Sequence, residues 1–199
     1  MPNHFKKFTL HDLILIAALS AIGLAIKPII NPMIHIVSSS LRIPGGSLSG
    51  GFLMMWMVLA RVIINKPGTA LIFGLAQGIT VMLLGFFGSH GVFSIVSYTL
   101  PGLMMEIFAL ICKFPSPFPP VLSREKSLSI NQLPLSILFI LCLYCIVANM
   151  TGSLVVAIVV MQLPFLPLMI SVVCSMLSGM LGGYFALIVL KKMMKYEIF

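Results

Sequence analysis

Charge is what this 199-residue sequence lacks: Asp, Glu, Lys and Arg make up 8% of it and hydrophobic residues 60%. A soluble domain carries about 25% charged residues. From Ser127 to Leu190 there is not one acidic or basic side chain, and no water-facing surface can be built from such a stretch. The composition predicts an integral membrane protein lying almost wholly in the bilayer.

Carboxylates are scarcest. The four are Asp12, Glu106, Glu125 and Glu197, and only Glu106 falls deep inside an apolar run. One buried carboxylate cannot make the pair that acid–base or two-metal chemistry needs. His4, His11, His35 and His90 form neither H-x-x-x-H nor H-E-x-x-H, and there is no Walker A run, so enzyme, metal-ligand and ATP-site readings have no anchor. No cofactor is expected. Cys142 and Cys145 form C-x-x-C inside an apolar run, where the thiols read as packing residues; redox pairs use a helix N-terminus. Cys112 and Cys174 read as small buried residues as well.

Basic residues are present, with a net charge of +8, but they stand at the ends of apolar runs. There is no basic stripe with interleaved aromatics, and nucleic acid is not an expected partner. The lipid bilayer is.

A membrane helix needs about 17–25 apolar residues. The chain offers 13–30, 48–64, 69–87, 91–112, 135–160 and 166–190 as spans of one integral-membrane domain, 1–199. Pro67-Gly68, Gly88 to Gly91, and Pro164 with Pro167 punctuate them. The expected fold is an all-α, six-helix transmembrane bundle. If both termini are cytoplasmic, ten of the twelve basic residues (Lys6, Lys7, Arg61, Lys66, Lys113, Arg124, Lys126, Lys191, Lys192 and Lys195) lie inside, as the positive-inside rule requires. No cleavage site convincingly follows the first apolar run, which reads as a retained span. "NPMIHIVSSSLRIPGGSLSGG" (31–51) is then a long first extracellular loop, and its mixed apolar content suggests a lid.

Polar residues inside the spans are the strongest pointers to function, since each needs a partner or a wet cavity. Gln77 in span three and Asn149 in span five are two. Tyr98 in span four precedes Pro101, which frees the Ser97 carbonyl, and broken helices line sites in transporters. Lys27, near the outer end of span one, can snorkel. His35, Arg42, His90 and Gln162 fall at the outer rim. The candidate substrate-binding set is Asn31, His35, Arg42, Trp56, Gln77, His90, Tyr98, Glu106, Asn149 and Gln162. For Gln77 and Asn149 the competing reading is interhelical glue; for Glu106 it is a structural ion pair, with Arg61 the conceivable partner. Ala17, Ala21 and Ala25 recur every four residues on one helical face, a surface for close helix approach.

Six spans with both ends inside, a long first outer loop and this alanine stripe resemble the substrate-binding S subunits of energy-coupling factor (ECF) vitamin transporters. "IINKPGTALIFGLAQGI", "LLGFFGSHG" and "PGLMME" look most like the thiamine/hydroxymethylpyrimidine-related branch, through Lys66, Pro67, Gly68, Ala70, Gly85, Gly88, Gly102 and Glu106. The resemblance implies a prokaryotic plasma-membrane subunit that is not an enzyme. It captures a vitamin from outside and docks, through Ala17, Ala21 and Ala25, on a transmembrane coupling subunit driven by two ATPases. It then tilts to release the cargo. The branch has Gln-Gly ahead of the glutamate where this chain reads "YTLPGLMME", and the outer half carries no carboxylate. A neutral pyrimidine or an anionic vitamin suits that charge count better than a thiazolium. An assembly subunit of a membrane complex is the alternative from another class.

Overall fold

Thr9 and Asp12 start the first helix. The Thr9 amide and hydroxyl donate to Asp12 Oδ2 at 2.7 and 2.8 Å, and the Asp12 amide donates back to Thr9 Oγ1 at 3.3 Å. This reciprocal box satisfies donors that a helix N-terminus leaves orphaned. The computed structural model describes residues 8–40, 42–85, 91–112 and 135–195, and all regular structure among them is helical.

Helix α1 (Leu10–Ser40) runs ten residues beyond the expected end of span one. Pro28 and Pro32 lie inside it and remove the amides that would meet the Leu24 and Pro28 carbonyls. Membrane helices tolerate this where neighbours shield the freed groups. The long first extracellular loop is therefore corrected: residues 31–40 are helix, and α2 (Gly45–Ile64) begins five residues after α1 ends. The last two serines, Ser39 and Ser40, donate back to the Ile36 carbonyl at 3.2 Å.

Asn65 closes α2 in the left-handed conformation, φ 48°, its amide on the Arg61 carbonyl. Gly68 (φ 88°) turns the chain into α3 (Thr69–Leu84), and Gly85 (φ 58°) ends that helix. Helix α4 (Phe93–Ile111) passes through Pro101 unbroken, contrary to the expected break. Helix α5 (Leu135–Val155) widens into a π-helical turn (Val156–Val160), and α6 (Phe165–Lys195) follows. Six α-helices thus stand among the described residues. Five are long and apolar enough to cross a membrane, while α3, at 16 residues, is shorter.

Helix α2 is the axis of the bundle, packed against α1, α3, α5 and α6. Met57, Val58, Leu59 and Ala60 are wholly buried there. Between lipid-bathed helices, close packing and hydrogen bonds replace the hydrophobic drive. The α3–α4 seam shows it: Gly74 and Gly78 lie against the α4 backbone at Tyr98 and Ile95, where a β-carbon would collide. Asp12, opening α1, pairs with Lys66, just past α2, so these two helices run antiparallel.

All four cysteines are free thiols. Cys145 is buried and Cys142 half-buried, as packing residues would be, but Cys112 is exposed at the end of α4 and Cys174 is half-buried. The expectation of burial fails for Cys112, whose helix end looks outward, and is met in part by Cys174.

Candidate functional site

A cavity of about 200 Å³ opens among six elements near the end of α1 and the start of α2. At about 30 Å³ per water, it has room for roughly six waters. Helix α1 supplies Lys27, Asn31 and His35; α3 supplies Gln77; α4 supplies Ser97 and Tyr98. Helix α5 adds Asn149 and Ser153, and the π turn adds Val156. Such π turns recur at functional sites because they re-aim side chains within a helix. Glycines of α2 form much of the remaining wall. A β-carbon on Gly50 would overlap Asn149 Oδ1, so the bare backbone there makes room for the amide.

Three of these polar side chains are moored to backbone carbonyls. Asn149 Nδ2 donates to the Ser175 carbonyl of α6 at 2.9 Å. Its Oδ1 has no partner among the described residues and lies against Gly50 at the cavity wall. Gln77 Nε2 reaches the Ser20 carbonyl at 3.4 Å. Ser97 Oγ donates to the Ser94 carbonyl at 3.2 Å.

Lys27 is the charged residue of the wall. It is 3% exposed, and its Nζ stands 3.7 Å from the centroid of the Tyr98 ring. With α1 continuing to Ser40, Lys27 sits mid-helix rather than at an outer end, so snorkelling is replaced by an inward aim. Of the two carboxylates among the described residues, Asp12 pairs with Lys66 and Glu106 with Arg61. Neither lines the cavity.

Five of the ten expected binding residues therefore meet: Asn31, His35, Gln77, Tyr98 and Asn149. Four of the others, Arg42, Trp56, Glu106 and Gln162, do not line the wall. Arg42 and Gln162 are exposed, each in a turn with positive φ, beside the lining residues Ile43 and Met161. Trp56 packs against Gly23 next to Gln77, and its Nε1 has no partner among the described residues. Glu106 is spent on structure. Arg61 Nε donates to its Oε2 at 3.0 Å, and the Ala70 amide donates to Oε1 at 3.0 Å. These contacts are those of the competing reading, a structural ion pair with Arg61. His90 lies outside the described residues.

Ala17, Ala21 and Ala25 are all exposed. They therefore do not pack against another span of this chain.

Sequence reasoning missed Lys27 as a wall residue. It also missed Ser171, Ser175 and Ser178, a buried ladder on one face of α6. Ser171 Oγ meets Ser47 Oγ at 2.7 Å, and Ser178 Oγ donates to the Leu48 carbonyl at 2.6 Å. Their i, i+4, i+7 spacing in an otherwise apolar helix was the available signal.

Comparison with known proteins gives two matches. Residues 11–122 match the family model described as "ABC-type cobalt transport system, permease component". A solved structure described as an S-component of ECF transporter superposes with a TM-score of 0.68 at 17% identity, covering 96% of this chain and 87% of that one. No curated protein matches the chain.

Proposed function

Since the chain belongs to the family of permease components of ABC-type cobalt transport systems and has the fold of an ECF S-component, we propose that it is the substrate-capture subunit of an ECF-type importer. It is a multi-pass plasma-membrane protein whose family and fold are those of transport components, not of enzymes. The observation that carries the reading is the cavity, where polar side chains of α1, α3, α4 and α5 converge within a lipid-facing bundle. Glue alone would leave no void between such groups, because polar residues in hydrocarbon pair off directly.

The cargo in this reading is a vitamin or vitamin precursor, thiamine-related by the motifs of residues 61–106. The family description names cobalt, but the donor set does not suit a bare cation. Among the described residues no three His, Cys, Asp or Glu side chains converge, and a lysine faces the cavity. A small organic molecule with hydrogen-bonding edges suits Asn149, Gln77 and the Tyr98 ring better. With both termini cytoplasmic, the cavity faces outward. The exposed Ala17–Ala21–Ala25 face lets a coupling subunit's helices approach closely, and two ATPases drive the assembly.

Mass spectrometry of small molecules released from the purified, detergent-solubilised protein tests this, using cells fed a vitamin mixture. A near-stoichiometric vitamin or precursor is the expected result. A protein empty across several media, yet holding other membrane subunits, would move the function to assembly.

A further inference from the structure

Resting on the capture reading, we infer that the cargo carries an anionic group, a carboxylate or a phosphate, which binds the Lys27 ammonium in the cavity. Lys27 is 97% buried, lines the void and makes no ion pair or hydrogen bond with the described residues; its one contact of charge is the face of Tyr98. Withdrawing an ammonium from water costs several kcal/mol even after relaxation. A cation–π contact returns about 0.5–2 kcal/mol. The deficit is that of a missing counter-charge, and no described residue places one there. Both carboxylates among the described residues are held elsewhere, by Lys66 and Arg61.

A ligand anion closes this account. It reaches a lysine whose stem is already fixed by packing and whose ammonium faces the void, so little side-chain entropy remains to be lost on binding. The same charge opposes a bare metal ion or a thiazolium at that end of the cavity. The Asn149 Oδ1, beside Gly50 in the wall, accepts a hydrogen bond from an N–H or O–H of the same molecule. Cargo recognition is thus bipolar, with an acid towards α1 and a donor towards α5.

The experiment uses the full-length protein, loaded during growth on yeast-extract medium, purified in detergent and checked for fold by size exclusion. Heat-released small molecules are passed over an anion-exchange resin at pH 7 and weighed by mass spectrometry, for the native chain, Lys27→Met and Lys27→Arg. The proposal expects a retained ligand from the native chain, at least tenfold less per protein from Lys27→Met, and substantial recovery with Lys27→Arg. Treatment of the released ligand with phosphatase distinguishes the sources: lost retention marks a phosphate, and unchanged retention a carboxylate. An unretained ligand from the native chain overturns the anion inference while leaving capture intact, and this arm needs no variant. Equal anionic ligand in native and Lys27→Met protein overturns the role of Lys27. No ligand from the native chain overturns the capture reading, and this inference with it.

Discussion

Arg61 Nε lies 3.0 Å from Glu106 Oε2, and both side chains are largely hidden, 16% and 9% exposed. The pair ties α2 to α4, and the Ala70 amide on the second carboxylate oxygen adds the start of α3. Removing one partner leaves an uncompensated buried charge, at a cost of about 3–5 kcal/mol. Glu106→Leu is expected to lower the thermal midpoint in detergent sharply. The double variant Arg61→Met/Glu106→Leu recovers most of the loss. Ligand content per folded molecule stays unchanged in both, because the pair lies outside the cavity wall. A loss of ligand in the stable double variant would return Glu106 to the binding site.

Gly50 and Gly46 make a matched test of the cavity wall. A methyl on Gly50 meets Asn149 Oδ1, whereas one on Gly46 meets nothing within 4 Å. Overpacking of this kind costs about 1–3 kcal/mol. Gly50→Ala is expected to lower the retained ligand tenfold or more, measured by mass spectrometry, while Gly46→Ala retains it.

Asn149→Ala removes the bond to the Ser175 carbonyl together with the free acceptor. Interhelical bonds of this type are worth about 0.6 kcal/mol on average within a membrane, too little to unfold the bundle. The expected outcome is near-native thermal stability with ligand lost. Stability lost in step with ligand would mark the residue as glue.

Ala21→Leu places a bulky side chain on an exposed face of α1. Ligand capture in detergent is expected to be unaffected, while uptake into cells and co-purification of a coupling subunit disappear. Loss of capture as well would place the stripe's role inside the protein.

Asp12 joins two interactions, the box with Thr9 and the ion pair with Lys66. Asp12→Ala is expected to cost about 1–2 kcal/mol, from the cap and the half-buried pair together, read as a lowered thermal midpoint. Thr9→Ala, which leaves the ion pair, costs less.

The bundle and its turns were legible because they rest on local chemistry. Pro67, Gly68 and Gly85 mark real turns, and the charge-free run from Ser127 to Leu190 contains most of α5 and α6. The end of α1 was not legible. "NPMIHIVSSS" has the composition of a loop, and Pro28 and Pro32, both exposed in the structure, read locally as helix breakers. Gln77, Asn149 and Tyr98 announced themselves as polar groups in apolar runs, and the cavity holds all three. Lys27 did not, since a lysine three residues from a supposed membrane edge has an easy exit. Its inward aim follows from the ten helical residues beyond that edge. Glu106 carried the right partner in its alternative reading, because Arg61 and Glu106 fall at similar depths on neighbouring spans.

Helix α1 has 31 residues and α3 has 16, and the two touch. At 1.5 Å per residue they measure roughly 46 and 24 Å, against a hydrocarbon thickness of about 30 Å. No flat bilayer fits both. In a bilayer of that thickness α1 is expected to lean or protrude and the lipid beside α3 to thin, each ångström of mismatch costing a fraction of a kcal/mol. The protein therefore sits in its membrane under a built-in asymmetric load. If the bundle tilts, as the proposed capture-and-release role implies, that load shifts from one side to the other, and acyl-chain length sets how readily it does so.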